Sequence, residues 1–326
     1  MANSIKFGLT LGLFAYTGSE TLHAETWHAL GDTTNQLLLL LSIGLSRASP
    51  DWRHPYGYSA RRWLGSFVSG AVVFWMGGKA FASAIYNFVE PDVPINLMYG
   101  VILCGSAAIL ETYSFLGAWR EIKEHISKQQ MTFSQYLANG SDSTSIHVFL
   151  EDTTGLFCSI VAVGSLTLAH SIHPIFDSFG GVIIGSSLMF VGSLLITRNA
   201  KLLSGRSLQS PILKEVVKIL DNYDVIHSHH DIKSLIVGQN RVVIKLEVNF
   251  NADKIAEKYV QTSKIFPSFQ NACEKHDMIT FHDLLMRSSA DYQQWMIRER
   301  TNLEILIMQK VKDFGFDIVH VDIENY

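Results

Sequence analysis

The chain has 326 residues, 48% of them hydrophobic and 17% charged, and a formal net charge of -4. That balance excludes nucleic-acid binding through a basic face, and the scattered Cys104, Cys158 and Cys273 exclude a disulfide framework or a CxxC metal clip. Charge is unevenly spread: 10 of the 26 Lys+Arg and 13 of the 30 Asp+Glu lie in residues 1 to 200, so its density roughly doubles afterwards, which predicts a membrane part (1–200) and a soluble part (201–326) meeting near Leu203 to Ser207.

Six apolar segments are predicted to be transmembrane helices: 2–20, 22–46, 63–88, 95–119, 145–169 and 174–197. The first run carries no cleavage-site pattern, so no removable leader is expected. Arg47, Arg53, Arg61 and Arg62 follow the second segment, Arg120, Lys123 and Lys128 the fourth, and Arg198, Lys201 and Arg206 the sixth. The connections after the first, third and fifth carry no Lys or Arg, so the positive-inside rule puts both termini on the cytoplasmic or matrix-equivalent side. Charges read as embedded are Glu25, Asp32, Lys79, Glu111, Glu151, Asp152 and Asp177, and each needs a partner or water. Gly180, Gly181, Gly185 and Ser186 form a small-residue face suited to close helix approach.

In the second segment Glu25, His28, Asp32 and Asn35 stand at i, i+3, i+7 and i+10, collecting its polar groups on one helical face. An imidazole and a carboxylate one turn apart inside a leucine run suit Zn²⁺, with Mn²⁺ or Fe²⁺ as alternatives. His23 and His28 imitate a zinc-protease motif, but they are five apart, about 140° round the helix, so that geometry fails. With no other catalytic constellation in view, no enzyme and no organic cofactor are expected. On the fifth segment Asp152 is a third candidate ligand, and Glu151 beside it is a further ligand or a proton relay. His147 reads as an entrance or interfacial histidine. Glu25, Asn35, Glu111 and Asp177 are candidates for supporting or proton-relay roles.

In the soluble part Ser210 and Pro211 open an amphipathic helix. Asp231 to Val237 and Arg241 to Phe250 alternate with period two across Gly238-Gln239, a β-hairpin signal. A helix over Ala290 to Phe314 and a strand over Phe316 to Ile323 complete an αββαβ pattern, and residues 252 to 290 read as a polar, irregular insert. His227, His229, His230, His282 and His320 are either a regulatory metal site or ordinary solvated histidines.

Several stretches together resemble the cation diffusion facilitator family, and within it the zinc transporter 9-like branch. They are Tyr16-Thr-Gly-Ser19, His28-Ala-Leu-Gly-Asp32-Thr-Thr-Asn35-Gln36, Ser49-Pro-Asp-Trp-Arg-His54-Pro-Tyr-Gly57, Leu150-Glu151-Asp152-Thr153, Phe176-Asp177-Ser-Phe-Gly180 and Leu203-Ser-Gly205-Arg206-Ser207. The resemblance implies a homodimeric Zn²⁺/H⁺ antiporter with a six-helix membrane bundle and a ferredoxin-like soluble domain, in a bacterial inner membrane or a mitochondrial membrane; a transport-inactive membrane regulator or scaffold with the same fold is the alternative. It implies a transport site of His28 and Asp32 with Asp152. The family's second histidine falls four residues before that aspartate, where this chain has Val148, so a set of one histidine and two or three carboxylates is expected, more tolerant of Mn²⁺ or Fe²⁺.

Overall fold

A computed structural model describes residues 2–89, 94–129, 132–139, 142–263 and 265–325. The chain forms two compact units, one of Met1–Arg206 with Val237–Gln239 and one of Ser207–Ile236 with Asn240–Tyr326.

The first unit is helical: α1 (Ala2–Thr17), α2 (Glu20–Ser46), α3 (Arg61–Val89), α4 (Met98–Gln129), a short α5 (Phe133–Asn139), α6 (Ser143–Ser171) and α7 (Ile175–Leu203). Among the described residues four helices are long and apolar enough to cross a membrane: Arg61–Val89, Met98–Ser127, Thr144–Ser171 and Ile175–Leu203. The other two sequence-predicted spans fall short for different reasons. At 16 residues, α1 reaches only about 24 Å, and α2 has the length but carries Glu25, His28 and Asp32. Each helix turns large apolar side chains outward, Leu40 on α2, Ile109 on α4, Ile160 on α6 and Phe190 on α7 among them, as a bundle whose solvent is lipid must. Lys79 lies on the outer surface of α3, within a helix apolar enough to cross a membrane. α5 was not expected; it lies in the polar connection between α4 and α6, where Tyr136 packs into a cluster with Ile122, Ile146 and Phe149.

Helix α3 packs along α7, α2 along α3, and α4 along α6. The α3–α7 contact is as close as two backbones allow. A Cβ on Gly185 would lie 2.6 Å from the Phe81 amide nitrogen, and one on Gly77 would lie 2.8 Å from the Gly185 carbonyl oxygen, so only glycine fits this crossing. Of the small-residue face expected on the last span, Gly181 and Gly185 meet α3, Gly180 meets Thr21 of α2 and Ser165 of α6, and Ser186 is exposed.

Asp177, at the start of α7, caps α2 and lies apart from the polar interior described below. Its Oδ1 accepts from Ser19 Oγ (2.6 Å) and the Thr21 amide (3.2 Å), its Oδ2 accepts from the Glu20 amide (2.7 Å), and its carbonyl accepts from Thr21 Oγ1 (2.8 Å). A buried carboxylate thus satisfies the orphan donors at the positive end of α2. This replaces the supporting or relay role expected of Asp177. Between α2 and α3, Asp51 accepts from the amides of Arg53 and His54 and from the Tyr58 hydroxyl (2.7 Å), and the Tyr58 hydrogen bond holds its carboxyl below the usual range. The Asp51-x-x-His54 motif is thus a side-chain-stabilised turn.

The second unit holds α8 (Ser210–Asn222), β1 (Ile226–Gly238), β2 (Arg241–Phe250), α9 (Ala252–Ser263), α10 (Phe266–Glu274), α11 (Met278–Asp313) and β3 (Asp317–Asn325), with strand order β1-β2-β3. The hairpin turns on Gln239-Asn240, where Asn240 takes a φ of 53°, one residue later than predicted. β2 alternates strictly between buried and half-buried residues. Val242, Ile244, Leu246 and Val248 meet Val216 and Leu220 of α8, Leu303, Ile307 and Val311 of α11, and Val321 and Ile323 of β3. β3 runs parallel to β2, which requires a crossover connection.

α11 supplies that crossover, and α9, α10 and the first turns of α11 occupy most of the stretch 252–290, where an irregular insert was expected. α9 sends Ile255 into the core, and Asp277 caps α11 by accepting from the Thr280 amide (3.1 Å), so α11 begins twelve residues before the predicted Ala290. Their charged surfaces hide narrow apolar stripes. α8 also starts one position early, with Gln209 as N-cap and Ser210 inside the helix. Asp177→Ala should leave two amides and a hydroxyl unpaired and lower stability by roughly 1–3 kcal/mol; a thermal midpoint in detergent equal to wild type would contradict the capping role.

Candidate metal centre

α2 carries its polar groups on one inward face. His28 Nε2 lies 3.4 Å from Asp32 Oδ1, and His28 Nδ1 lies 3.6 Å from Glu25 Oε2. Glu25 is 0% and His28 2% exposed. One imidazole is thus placed between two carboxylates, one turn apart on either side. The decoy histidine is engaged elsewhere: His23 Nε2 accepts from Trp27 Nε1 (2.9 Å), and its ring stacks on Phe14.

α6 presents Glu151 and Asp152 about 100° apart, and the two face different neighbours. Asn35 of α2 donates to Glu151 Oε2 (2.6 Å) and accepts at its own Oδ1 from Ser69 of α3. Asp152 Oδ2 accepts from Ser114 of α4 (2.9 Å). Two cavities follow. A cleft of about 460 Å³ is lined by Lys6, Asp32, Glu111, Ser114, Glu151 and Asp152 among others. A chamber of about 20 Å³, enough for one water-sized occupant, is lined by His28, Asp32, Asn35, His147, Glu151 and Thr154 with an apolar wall from α3 and α7. Asp32 and Glu151 line both spaces, and Asp152 lines the cleft alone.

His147 is therefore misread as interfacial. It is 0% exposed, and neither ring nitrogen has a hydrogen-bond partner. An imidazole buried in that state is costly unless something binds it. The sequence held the signal: His147-x-x-x-Glu151 on α6 repeats the spacing of His28-x-x-x-Asp32 on α2, and counting back from Asp152 to Val148 hid it. Val148 itself is exposed, 36%.

Lys6 was missed as well, because a single lysine near the chain start looks like a flank of the first apolar run. Its Nζ lies 2.5 Å from Glu111 Oε1 and 3.3 Å from Glu25 Oε2, and Ser159 donates to Glu111 Oε2 (2.6 Å). Glu25 and Glu111 thus share one ammonium.

The histidines of the second unit do not converge in the same way. His227, His229 and His230 lie within β1, not before it, and His229 Nε2 meets Asp221 Oδ1 of α8 at 2.9 Å. His282 and His320 are exposed on α11 and β3. Among the described residues none of the five joins two further ligating side chains at metal-binding distance; the groups that do are Glu25, His28 and Cys158, and Glu121, His125 and Asp142.

Comparison with known proteins matches residues 1–204 to the cation efflux transmembrane domain. The chain is 29% identical to metal tolerance protein C4 of Arabidopsis thaliana, over 99% of this chain and 71% of that protein. It is 27% identical to the mitochondrial proton-coupled zinc antiporter SLC30A9 of Xenopus laevis, over 99% of this chain and 57% of the relative. Against the Homo sapiens protein of the same name it is 27% identical, over 95% and 54%. The chain thus spans little more than half the length of these two antiporters. These relatives are named as tolerance proteins and antiporters, and the family model covers well over half of the sequence, so this protein belongs to the cation efflux, or cation diffusion facilitator, family.

Proposed function

We propose that this protein exchanges Zn²⁺ for protons across a membrane by alternating access. His28, Asp32, His147 and Glu151 ligate the transported ion, and Asp152 and Glu111 line its approach. The observation that carries this reading is the chamber, where two imidazoles and two carboxylates at matched spacing border one void, and where the His147 nitrogens have no partner. Glu151 is then a ligand and Asn35 the residue that positions it. A second imidazole answers the expectation of a one-histidine set open to Mn²⁺ or Fe²⁺: nitrogen donors favour Zn²⁺ over Mn²⁺. The vertebrate relatives, named as proton-coupled zinc antiporters, agree with this chemistry.

Coupling follows from ligand chemistry, because these groups bind metal only after releasing protons. The wider reading is a lipid-embedded homodimer whose membrane domain, 1–200, uses α1, α2, α3, α4, α6 and α7 as six spans. The basic connections keep both termini on the cytoplasmic or matrix side, and residues 201–326 form a ferredoxin-like soluble domain, in a bacterial inner membrane or a mitochondrial membrane.

The test is Zn²⁺ uptake into proteoliposomes. Influx should be driven by an acidic interior and vanish when a protonophore collapses the gradient; uptake indifferent to the gradient would refute antiport. His28→Ala, Asp32→Ala or His147→Ala should weaken Zn²⁺ binding by more than roughly 100-fold, since even outer-shell partners are worth ~10–100-fold. Asp152→Ala should slow uptake and keep stoichiometric binding. Normal binding in both Asp32→Ala and His147→Ala would sink this ligand set.

Lys6 repels an incoming dication while it neutralises Glu25 and Glu111. Lys6→Met should therefore tighten equilibrium Zn²⁺ binding at neutral pH by roughly tenfold, or ~1.4 kcal/mol. Weaker binding, read by calorimetry on folded protein, would show that the lysine positions the site instead.

A further inference from the structure

We propose a second cation station inside the bundle, formed by Glu25, the Glu25-facing side of His28, and Cys158, which receives Zn²⁺ from the chamber on its way out. This rests on the antiport reading and adds a sulfur ligand to the path. One ligating atom from each residue lies within 4.8 Å of the others. Ligands of a tetrahedral zinc stand about 3.5 Å apart, given bonds of ~2.0–2.3 Å, so small rotamer shifts would close the site. Glu25 is 0%, His28 2% and Cys158 0% exposed. Both Glu25 carboxylate oxygens and His28 Nδ1 are buried without a hydrogen-bond partner; among the described residues Glu25 is ion-paired with the Lys6 ammonium, at 3.3 Å, and the His28 ring, and an ion arriving here displaces Lys6 onto Glu111, its second carboxylate.

Helix geometry sets the direction. Glu25 precedes Asp32 by seven residues on α2, and Cys158 follows Glu151 by seven on α6, so the two helices, reading opposite ways across the bundle, carry matching pairs about 10 Å apart along their axes. His28 stands between the levels with Nε2 toward Asp32 and Nδ1 toward Glu25. The Glu25 level is nearer the start of α2, the end opposite the basic connections, and so lies on the release side. An ion passing from one face of the imidazole to the other keeps a nitrogen ligand near it throughout. At the second level Cys158 binds as a thiolate: a Zn–S bond forms, the S–H bond breaks, and one proton is released to solvent. Thiolate favours Zn²⁺ over the harder Mn²⁺, which makes this level a filter as well as a step.

The test uses full-length protein with Cys104→Ser and Cys273→Ser, leaving Cys158 as its one thiol, and Co²⁺ as the probe. Co²⁺ titration should produce a sulfur-to-cobalt charge-transfer band in the near ultraviolet, lost in Cys158→Ser, while cobalt ligand-field absorption from the chamber remains. Glu25→Gln, which keeps the shape and the sulfur, should weaken the band at equal Co²⁺ and serves if Cys158→Ser does not fold. Proteoliposome Zn²⁺ transport is measured on the same background. Transport without the band overturns the second station and leaves antiport standing. An unaltered band in Glu25→Gln overturns the proposed ligand set, and no Zn²⁺ transport by the wild type overturns the reading on which the station rests.

Discussion

A charge buried away from water survives only beside an opposite charge or with its hydrogen-bonding capacity met, and the ion pairs of Lys6 with Glu25 and Glu111 are where this protein meets that constraint. Those contacts join α1, α2 and α4, and Ser159 brings α6 onto Glu111. α1 is short, 16 residues, and this ammonium ties it to its neighbours by charge as well as by apolar packing. The polar interior is then framed by helices held together by electrostatics on one side. On the other side, α3 and α7 are held by close glycine-to-backbone contact.

In the exchange cycle proposed above, the two kinds of contact would divide the labour between moving and fixed parts. The α3–α7 crossing is packed too closely to slide without clashes, and α7 also holds the start of α2 through Asp177. α4 and α6 face α2 across the cleft through longer, polar side chains, and ion pairs there can exchange partners with small movements. An alternating-access cycle needs a rigid part and a part that rearranges around the bound ion. The distribution of glycine and charge places these on opposite sides of the His28 chamber.

The bundle and most of its site were legible because they rest on local periodicity. The polar stripe of α2 and the alternation of Val242 to Val248 follow from one helical and one strand repeat, and both recur in the structure. What was missed depended on depth. His147 carries no local sign of burial, since its neighbour Val148 is apolar yet exposed; the chamber it lines is closed by residues of α2, α3 and α7, far away in sequence. Lys6 fails for the same reason, as nothing near position 6 announces two carboxylates on other helices. The helices at 252 to 274 were missed because they bury few side chains, Ile255, Tyr259 and Ala272; the crossover that the parallel β2–β3 pair needs is already supplied by α11, so nothing in the strand pattern announced them.

Charge balance links this architecture to exchange. Asp32, Glu111, Glu151 and Asp152 line the cleft and Glu25 lies beside Lys6 and His28; among the described residues Lys6 is the one lysine or arginine paired with any of them, and His28 is the titratable partner of Glu25 and Asp32. Five carboxylates and one ammonium leave an excess of negative charge that a low-dielectric interior does not tolerate. Protons neutralise it one at a time, and a dication neutralises two at once with inner-sphere bonds. Holding both in full would leave the interior positive beyond need, so either species lowers the affinity for the other. Proton–metal antagonism is therefore a property of the whole cluster. The histidines add selectivity to it: imidazole nitrogens reward a borderline metal such as Zn²⁺ over a hard one of equal charge, whereas the carboxylates alone would discriminate little between them.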